Sequence, residues 1–129
     1  LLTINGLTAA NALLIPLQPE YFALEGLGRL LSTVELVKSA LNPALALEGI
    51  LLTMFDVRNK LSHDVAREVR SHFNGQVFDT IIPRTVRLSE ASSHGQPILQ
   101  YDNQSPGSEK YVNLAMELCR RHGLPSEAA

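Results

Sequence analysis

The sequence holds a single cysteine, Cys119, so no disulfide can form within the chain and a disulfide-stapled scaffold is excluded. A reducing cytoplasm is the expected compartment. No apolar run approaches the roughly 18–20 residues a membrane helix needs, so no membrane partner is expected. No secretory leader is read: the apolar start lacks a basic region, and Pro16 interrupts the run at 12–17. No G-x-x-x-x-G-K-[ST] occurs, so a backbone cradle for phosphates cannot be argued from a loop of this chain. The initiator methionine is also missing, and the start Leu1-Leu2-Thr3 reads as processing or as a piece of something longer.

Charge of one sign is not in excess overall. Eleven basic residues face thirteen acidic ones, for a net charge of −2, which does not advertise nucleic-acid binding. The distribution says more. Residues 56–87 carry six cations against four carboxylates, while the segments on either side are each net acidic.

What is present is a set of short apolar runs separated by helical patterns. The runs are Ala12–Leu17, Gly49–Phe55 and Val77–Ile82. The first two are nearly continuous, as expected of strands covered on both faces. Between the first and second, Leu24, Leu27, Leu31, Val34, Val37 and Leu41 recur at spacings of three and four, which predicts a helix over 23–41 ended by Asn42-Pro43. A second helix is expected over 62–73, capped by Ser62, with Leu61, Val65, Val69 and Phe73 inward and Asn74-Gly75 as its stop. A third is expected near 107–122, with Tyr111, Leu114, Ala115, Leu118 and His122 on the inner face and Gly123 beyond it. Residues 2–10 read as a short helical segment, and the tail at 125–129 as frayed.

Helices alternating with buried strands give an α/β fold, a parallel sheet with flanking helices, here thin enough to be half of a doubly wound domain. In such sheets ligands sit beyond the carboxyl ends of the strands. That rim would carry Met54, Asp56 and Arg58 after one strand, and Pro83, Arg84, Thr85 and Arg87 after the next. The stretch from 88 to 97 looks like neither helix nor strand, and a long structureless connection is often functional.

Other candidates have plainer readings. Gly26-Leu27-Gly28 lies inside a helix pattern and is expected to permit close helix packing rather than to hold a phosphate. Glu68 and His72 are four apart on one helix face with no third metal ligand at a suitable spacing. Ser92-Ser93-His94 has the residue types of a hydrolase but not a spacing at which adjacent side chains meet, and His94-Gly95 is expected to shape the loop.

The blocks P-E-Y-F-A-L-E-G at 19–26 and I-P-R-T-V-R-L-S-E-A at 82–91, with E-G-I-L-L-T-M-F-D-V-R at 48–58, resemble the ParA/Soj chromosome- and plasmid-partition ATPases of the deviant-Walker P-loop branch. The resemblance runs from Leu1 to about Leu118 and matches the C-terminal half of the family's P-loop NTPase domain, with residues 1–124 as the AAA_31/CbiA-like half-domain. It implies a parent that binds ATP and Mg2+, forms a homodimer when ATP-bound, binds DNA without sequence preference and works with a ParB/Spo0J-type partner on the nucleoid. It also implies that Met54, Asp56, Pro83, Arg84 and Thr85 border the adenine pocket, and that Arg58, Arg87 and Lys60 face DNA. Hydrolysis and cofactor binding by this chain alone are not expected, because the phosphate loop is not in it. Alternatives from other classes are a non-catalytic DNA- or partner-binding module from a truncated paralogue, and a MinD-like positioning ATPase. Thr85 stands where the family often has Asn, Ser92 where it usually has Pro, and Gln96 where it often has Lys.

Overall fold

The computed structural model describes residues 1–125, so of the expected frayed tail residues 126–129 lie outside the described residues. The elements run α1 (Leu2–Ala9), β1 (Ala12–Leu17), α2 (Ala23–Ala40), β2 (Ala46–Leu52), α3 (Lys60–His72), α4 (Val86–Ser93), α5 (Ile98–Tyr101) and α6 (Pro106–Arg121). β1 and β2 pair in parallel, with Leu17 opposite Leu52 at their carboxyl ends. Side chains alternate across the sheet. Ile50 and Leu52 therefore enter a core with Leu27 of α2 and Val65 and Val69 of α3. Leu51 between them points the other way, into a second core with Phe78, Ile82 and Leu114 of α6. α1 covers the C-terminal half of α2, where Leu7 packs on Val34, Val37 and Leu45.

The third expected strand, 77–82, is broken. It runs beside β2 in parallel, with Phe78 N–H donating to Ile50 O at 2.9 Å and Ile82 N–H to Leu52 O at 2.9 Å, but only two isolated bridges form, Ile50 with Val77 and Phe55 with Pro83. The cause is a side chain. The N–H groups of Asp79 and Thr80 donate to the two carboxylate oxygens of Glu117, each at 2.9 Å. A carboxylate inserted along a strand edge blocks further strand addition there.

Helix boundaries follow local capping. α3 starts at Lys60 rather than after Ser62, because Asn59 Oδ1 accepts the Leu61 N–H at 3.0 Å; Ser62 is buried inside the helix. Leu61 is exposed, off the inner face to which its spacing assigned it. Arg70 reaches from α3 to the Phe78 carbonyl at 3.1 Å and so pins the broken strand. α6 is capped by Ser105 with Pro106 in the first turn, and it turns Leu114 and Glu117 inward while Tyr111 and Ala115 face outward.

The largest departure from expectation is the polar stretch after Pro83, which is helical. Thr85 Oγ1 accepts the Leu88 N–H at 3.2 Å and opens α4, Ala91 is buried beneath it, and Gly95 (φ 63°) turns the chain toward α5. Thr85→Ala removes this cap and is expected to cost about 1 kcal/mol by denaturant unfolding.

The expected close packing at Gly26 and Gly28 is also absent: a Cβ built on either meets nothing within 4 Å. Both positions carry the entropic cost of glycine without a packing return. Gly28→Ala is therefore expected to raise stability by roughly 0.5–1 kcal/mol, read as a higher melting temperature.

Candidate functional site

Beyond the carboxyl ends of the strands the chain turns sharply twice. After β2, Met54 takes the left-handed conformation (φ 50°), the only non-glycine among the described residues to do so. Backbone strain of this kind in a non-glycine residue tends to mark sites where position matters. Two bonds then tie the segments together: Phe55 N–H donates to Ile82 O at 3.1 Å, and Arg84 N–H to Phe55 O at 3.0 Å. This ladder sets Met54 beside Pro83.

A cleft of about 290 Å³ opens there, walled by Thr53, Met54, Pro83, Arg84, Thr85, Leu88, Ser89, Ser92 and Tyr111, with Ile82 below. Met54 and Pro83 present apolar surface. The Thr85 hydroxyl accepts from the α4 backbone and keeps its own proton to donate. Four of the five residues expected at an adenine pocket thus line one concavity. The fifth, Asp56, is not among its walls: its carboxylate caps the following turn, accepting the Arg58 N–H at 3.0 Å and lying 3.4 Å from Arg58 Nε. That backbone bond, with the Arg58 and Arg84 charges nearby, holds the Asp56 carboxyl below its usual range against the smaller opposing effect of burial.

A larger cleft, about 580 Å³, lies on the other side of Pro83 between the broken strand and α6, but of the expected site residues it contains only Pro83. The smaller cleft is the better candidate because it collects the residues whose chemistry suits a flat, partly polar ring system.

The cations of the rim differ in freedom. The Arg58 side chain is 89% exposed and makes one 3.4 Å contact with Asp56. Lys60, at the start of α3, and Arg84 are exposed, and no ion pair involves either among the described residues. Arg87, in the first turn of α4, is engaged by Glu90 and Asp102, both at 3.4 Å. Ser89 and Ser92 reach the cleft because α4 forms, and Tyr111 reaches it from α6; none of the three was expected there from the sequence.

His94 Nδ1 lies 2.9 Å from the Glu90 carbonyl and Ser93 Oγ donates to Ser89 O, so neither is aimed at the other. Among the described residues no group of three or more His, Cys, Asp or Glu side chains is placed to hold a metal. No described helix is long and apolar enough to cross a membrane.

A parallel sheet with helices on both faces and a cleft past its carboxyl ends is an open α/β architecture that several solved proteins share. Cobyrinic acid a,c-diamide synthase from Mycobacterium smegmatis, determined with bound ADP and magnesium, superposes with a TM-score of 0.68 at 32% identity, covering 95% of this chain and 44% of that one. The Pyrococcus furiosus cell division ATPase MinD gives 0.66 at 22% identity, over 88% of this chain and 44% of its own, a likeness of fold. Residues 1–47 match the AAA domain family model. The chromosome partitioning protein ParA of Myxococcus xanthus is 57% identical over 121 residues, 94% of this chain and 43% of the relative. The sporulation initiation inhibitor protein Soj of Bacillus subtilis is 55% identical over 118 residues, 92% and 47%. The chain belongs to the ParA/Soj family. It spans about half the length of these relatives.

Proposed function

We propose that this chain is the C-terminal half of a ParA/Soj-type partition ATPase, and that it supplies the base-binding side of the nucleotide pocket and part of a DNA-facing rim. The parent binds ATP with Mg2+, dimerises, holds nucleoid DNA without sequence preference, and is released by a ParB-type partner. The observation that carries this reading is the junction of Met54 and Pro83 beside the exposed Arg58 and Arg84 on one rim.

The residues of the cleft fit one end of the nucleotide. Met54 and Pro83 offer two apolar walls to a flat base, and Thr85 offers a hydroxyl to its edge. The phosphate and magnesium end does not fit them, since the sequence holds no phosphate loop and no metal-holding cluster of carboxylates occurs among the described residues. Phosphoryl transfer depends on those parts, so the 129-residue chain alone is expected to show no ATP turnover. Robust hydrolysis by the purified chain would refute this.

Arginine suits a phosphate-facing rim because it stays charged and donates in a fork. The binding test is anisotropy of a labelled duplex against the full-length parent over a salt series, with ATP and with ADP. Binding that needs ATP and weakens linearly in log salt supports the reading. Equal or absent binding in both nucleotides contradicts it. Met54→Asp is expected to weaken nucleotide binding about tenfold or more, close to the loss of one buried apolar contact.

A further inference from the structure

We infer that Tyr111 is a gate between the base-binding cleft and an apolar annex behind it, and that it limits the site to a purine without a bulky substituent. The inference rests on the base-binding reading above and adds to it the residue that sets how large a base is accepted.

Two concavities meet at one seam. The cleft of about 290 Å³ runs from Met54 and Pro83, at the strand ends, to Leu88, Ser92 and Tyr111. The same three residues line a second cavity of about 390 Å³, whose remaining walls come from the end of α4, the turn after it and the start of α5. Leu88, Ser92 and Tyr111 are therefore the boundary between the two. Beyond that boundary the surface is mainly apolar. Ala91 and Ile98 form a buried floor, and Leu99, half exposed, stands at the rim.

Of the three boundary residues, Tyr111 has the means to act as a gate. Ser92 is small, and Leu88 packs on the core around Phe78 and Leu114. Tyr111 is the one aromatic side chain on the described walls of the cleft, and at 39% exposure its ring is not locked into a core. Its backbone, by contrast, is held in place. Ser105 Oγ accepts the Ser108 N–H at 3.2 Å and so caps α6. α6 also lies tightly on α4, since a Cβ on Gly107 would stand 2.9 Å from Leu88 Cγ. Tyr111 follows Gly107 by four residues, one turn along the same helix face, and presents its ring at the seam from that fixed point.

Two consequences follow from the position of the ring. It offers a base an aromatic contact at the end of the cleft opposite Met54. Its bulk also stops any group that extends past the base, a rejection by clash rather than by lost attraction. With the ring removed, an apolar group carried on the base would enter the annex and leave water there.

The experiment is calorimetric titration of the full-length parent with ADP, N6-benzyl-ADP and 2-benzylthio-ADP. The two analogues carry the benzyl group at either substitutable edge of the six-membered ring, the end of adenine farthest from the ribose. Wild type is expected to bind both analogues about tenfold or more weakly than ADP. Tyr111→Ala is expected to lose about tenfold for ADP, the usual loss of an aromatic contact to a base. The same variant is expected to bind at least one analogue about tenfold more tightly than wild type does. Adding Leu99→Asp, on the annex side alone, is expected to abolish that gain. A gain in affinity cannot come from damage to the fold; Tyr111→Leu, shorter but still apolar, stands in should the alanine variant fail to fold. Wild type that binds the analogues as tightly as ADP, or Tyr111 variants that gain neither analogue, overturn the gate. The base cleft survives that result if Met54→Asp still weakens ADP. ADP binding unchanged in both Met54→Asp and Tyr111→Ala overturns the gate and the base-binding reading together.

Discussion

Glu117→Ala is expected to destabilise the fold by about 3 kcal/mol or more, the largest loss from any single side chain named here. Glu117 is 5% exposed, and both of its carboxylate oxygens accept hydrogen bonds. It accepts the N–H groups of Asp79 and Thr80 at 2.9 Å each and the Arg121 guanidinium at 3.2 Å. Truncation strands two donors at the break in the third strand and leaves a cation without its partner. Arg121 would also lose part of what keeps it over the Phe78 ring, 4.0 Å from the centroid. Urea unfolding of the full-length parent measures the effect. Glu117→Gln, which retains one acceptor oxygen, is expected to lose less.

The same carboxylate sets a pH dependence. Burial alone would push its pKa up; the bonds from Thr80 and Asp79 and the Arg121 charge outweigh this and bring it below the usual 4.5. A group whose folded pKa is depressed contributes stability above its unfolded pKa and loses it as pH falls through the folded value. Wild-type stability is therefore expected to fall as pH drops below about 4.5, and Glu117→Gln is expected to flatten that acid limb. An unchanged acid limb would mean another carboxylate governs it.

Gly49→Ala is expected to cost about 1–3 kcal/mol, and Gly49→Val more. A Cβ on Gly49 would stand 2.6 Å from Phe78 Cε2, 3.0 Å from Cδ2 and 3.1 Å from Arg121 Nη1. The Arg121 tip can swing aside, but Phe78 is fully buried and its ring cannot yield cheaply. A melting temperature for Gly49→Ala equal to wild type would show that the Phe78 ring has room to shift. Gly28→Ala, on the open side of α2, is the matched control and moves the other way.

The sheet direction and the two main layers were legible because Ala12–Leu17 and Gly49–Leu52 are apolar without interruption and the helix between them repeats at three and four. What the residues do not announce is long-range pairing of polar groups. Glu117 reads as a solvated helix position, since nothing near it in sequence reveals that Asp79 and Thr80, some 38 residues earlier, will aim their N–H groups at it. The break in the third strand was hidden for the same reason. α4 was missed for a local reason: Ser, His and Gly over 92–95 suggest a loop, and they outweighed the cap at Thr85 with Leu88 and Ala91 following at helical spacing. At the site, adjacent strand ends put Met54, Pro83, Arg84 and Thr85 on the walls of one cleft. Asp56 stands outside those walls because its carboxylate closes a turn on the next residue but one.

The most direct test of the base-binding cleft is photolabelling of the full-length parent with an azido-adenine nucleotide, followed by peptide mapping. Label on residues 53–55 or 82–92, lost in Met54→Asp, is the expected result. Label confined to 107–121, along the larger cleft, or absent from this half of the parent altogether, would contradict the assignment.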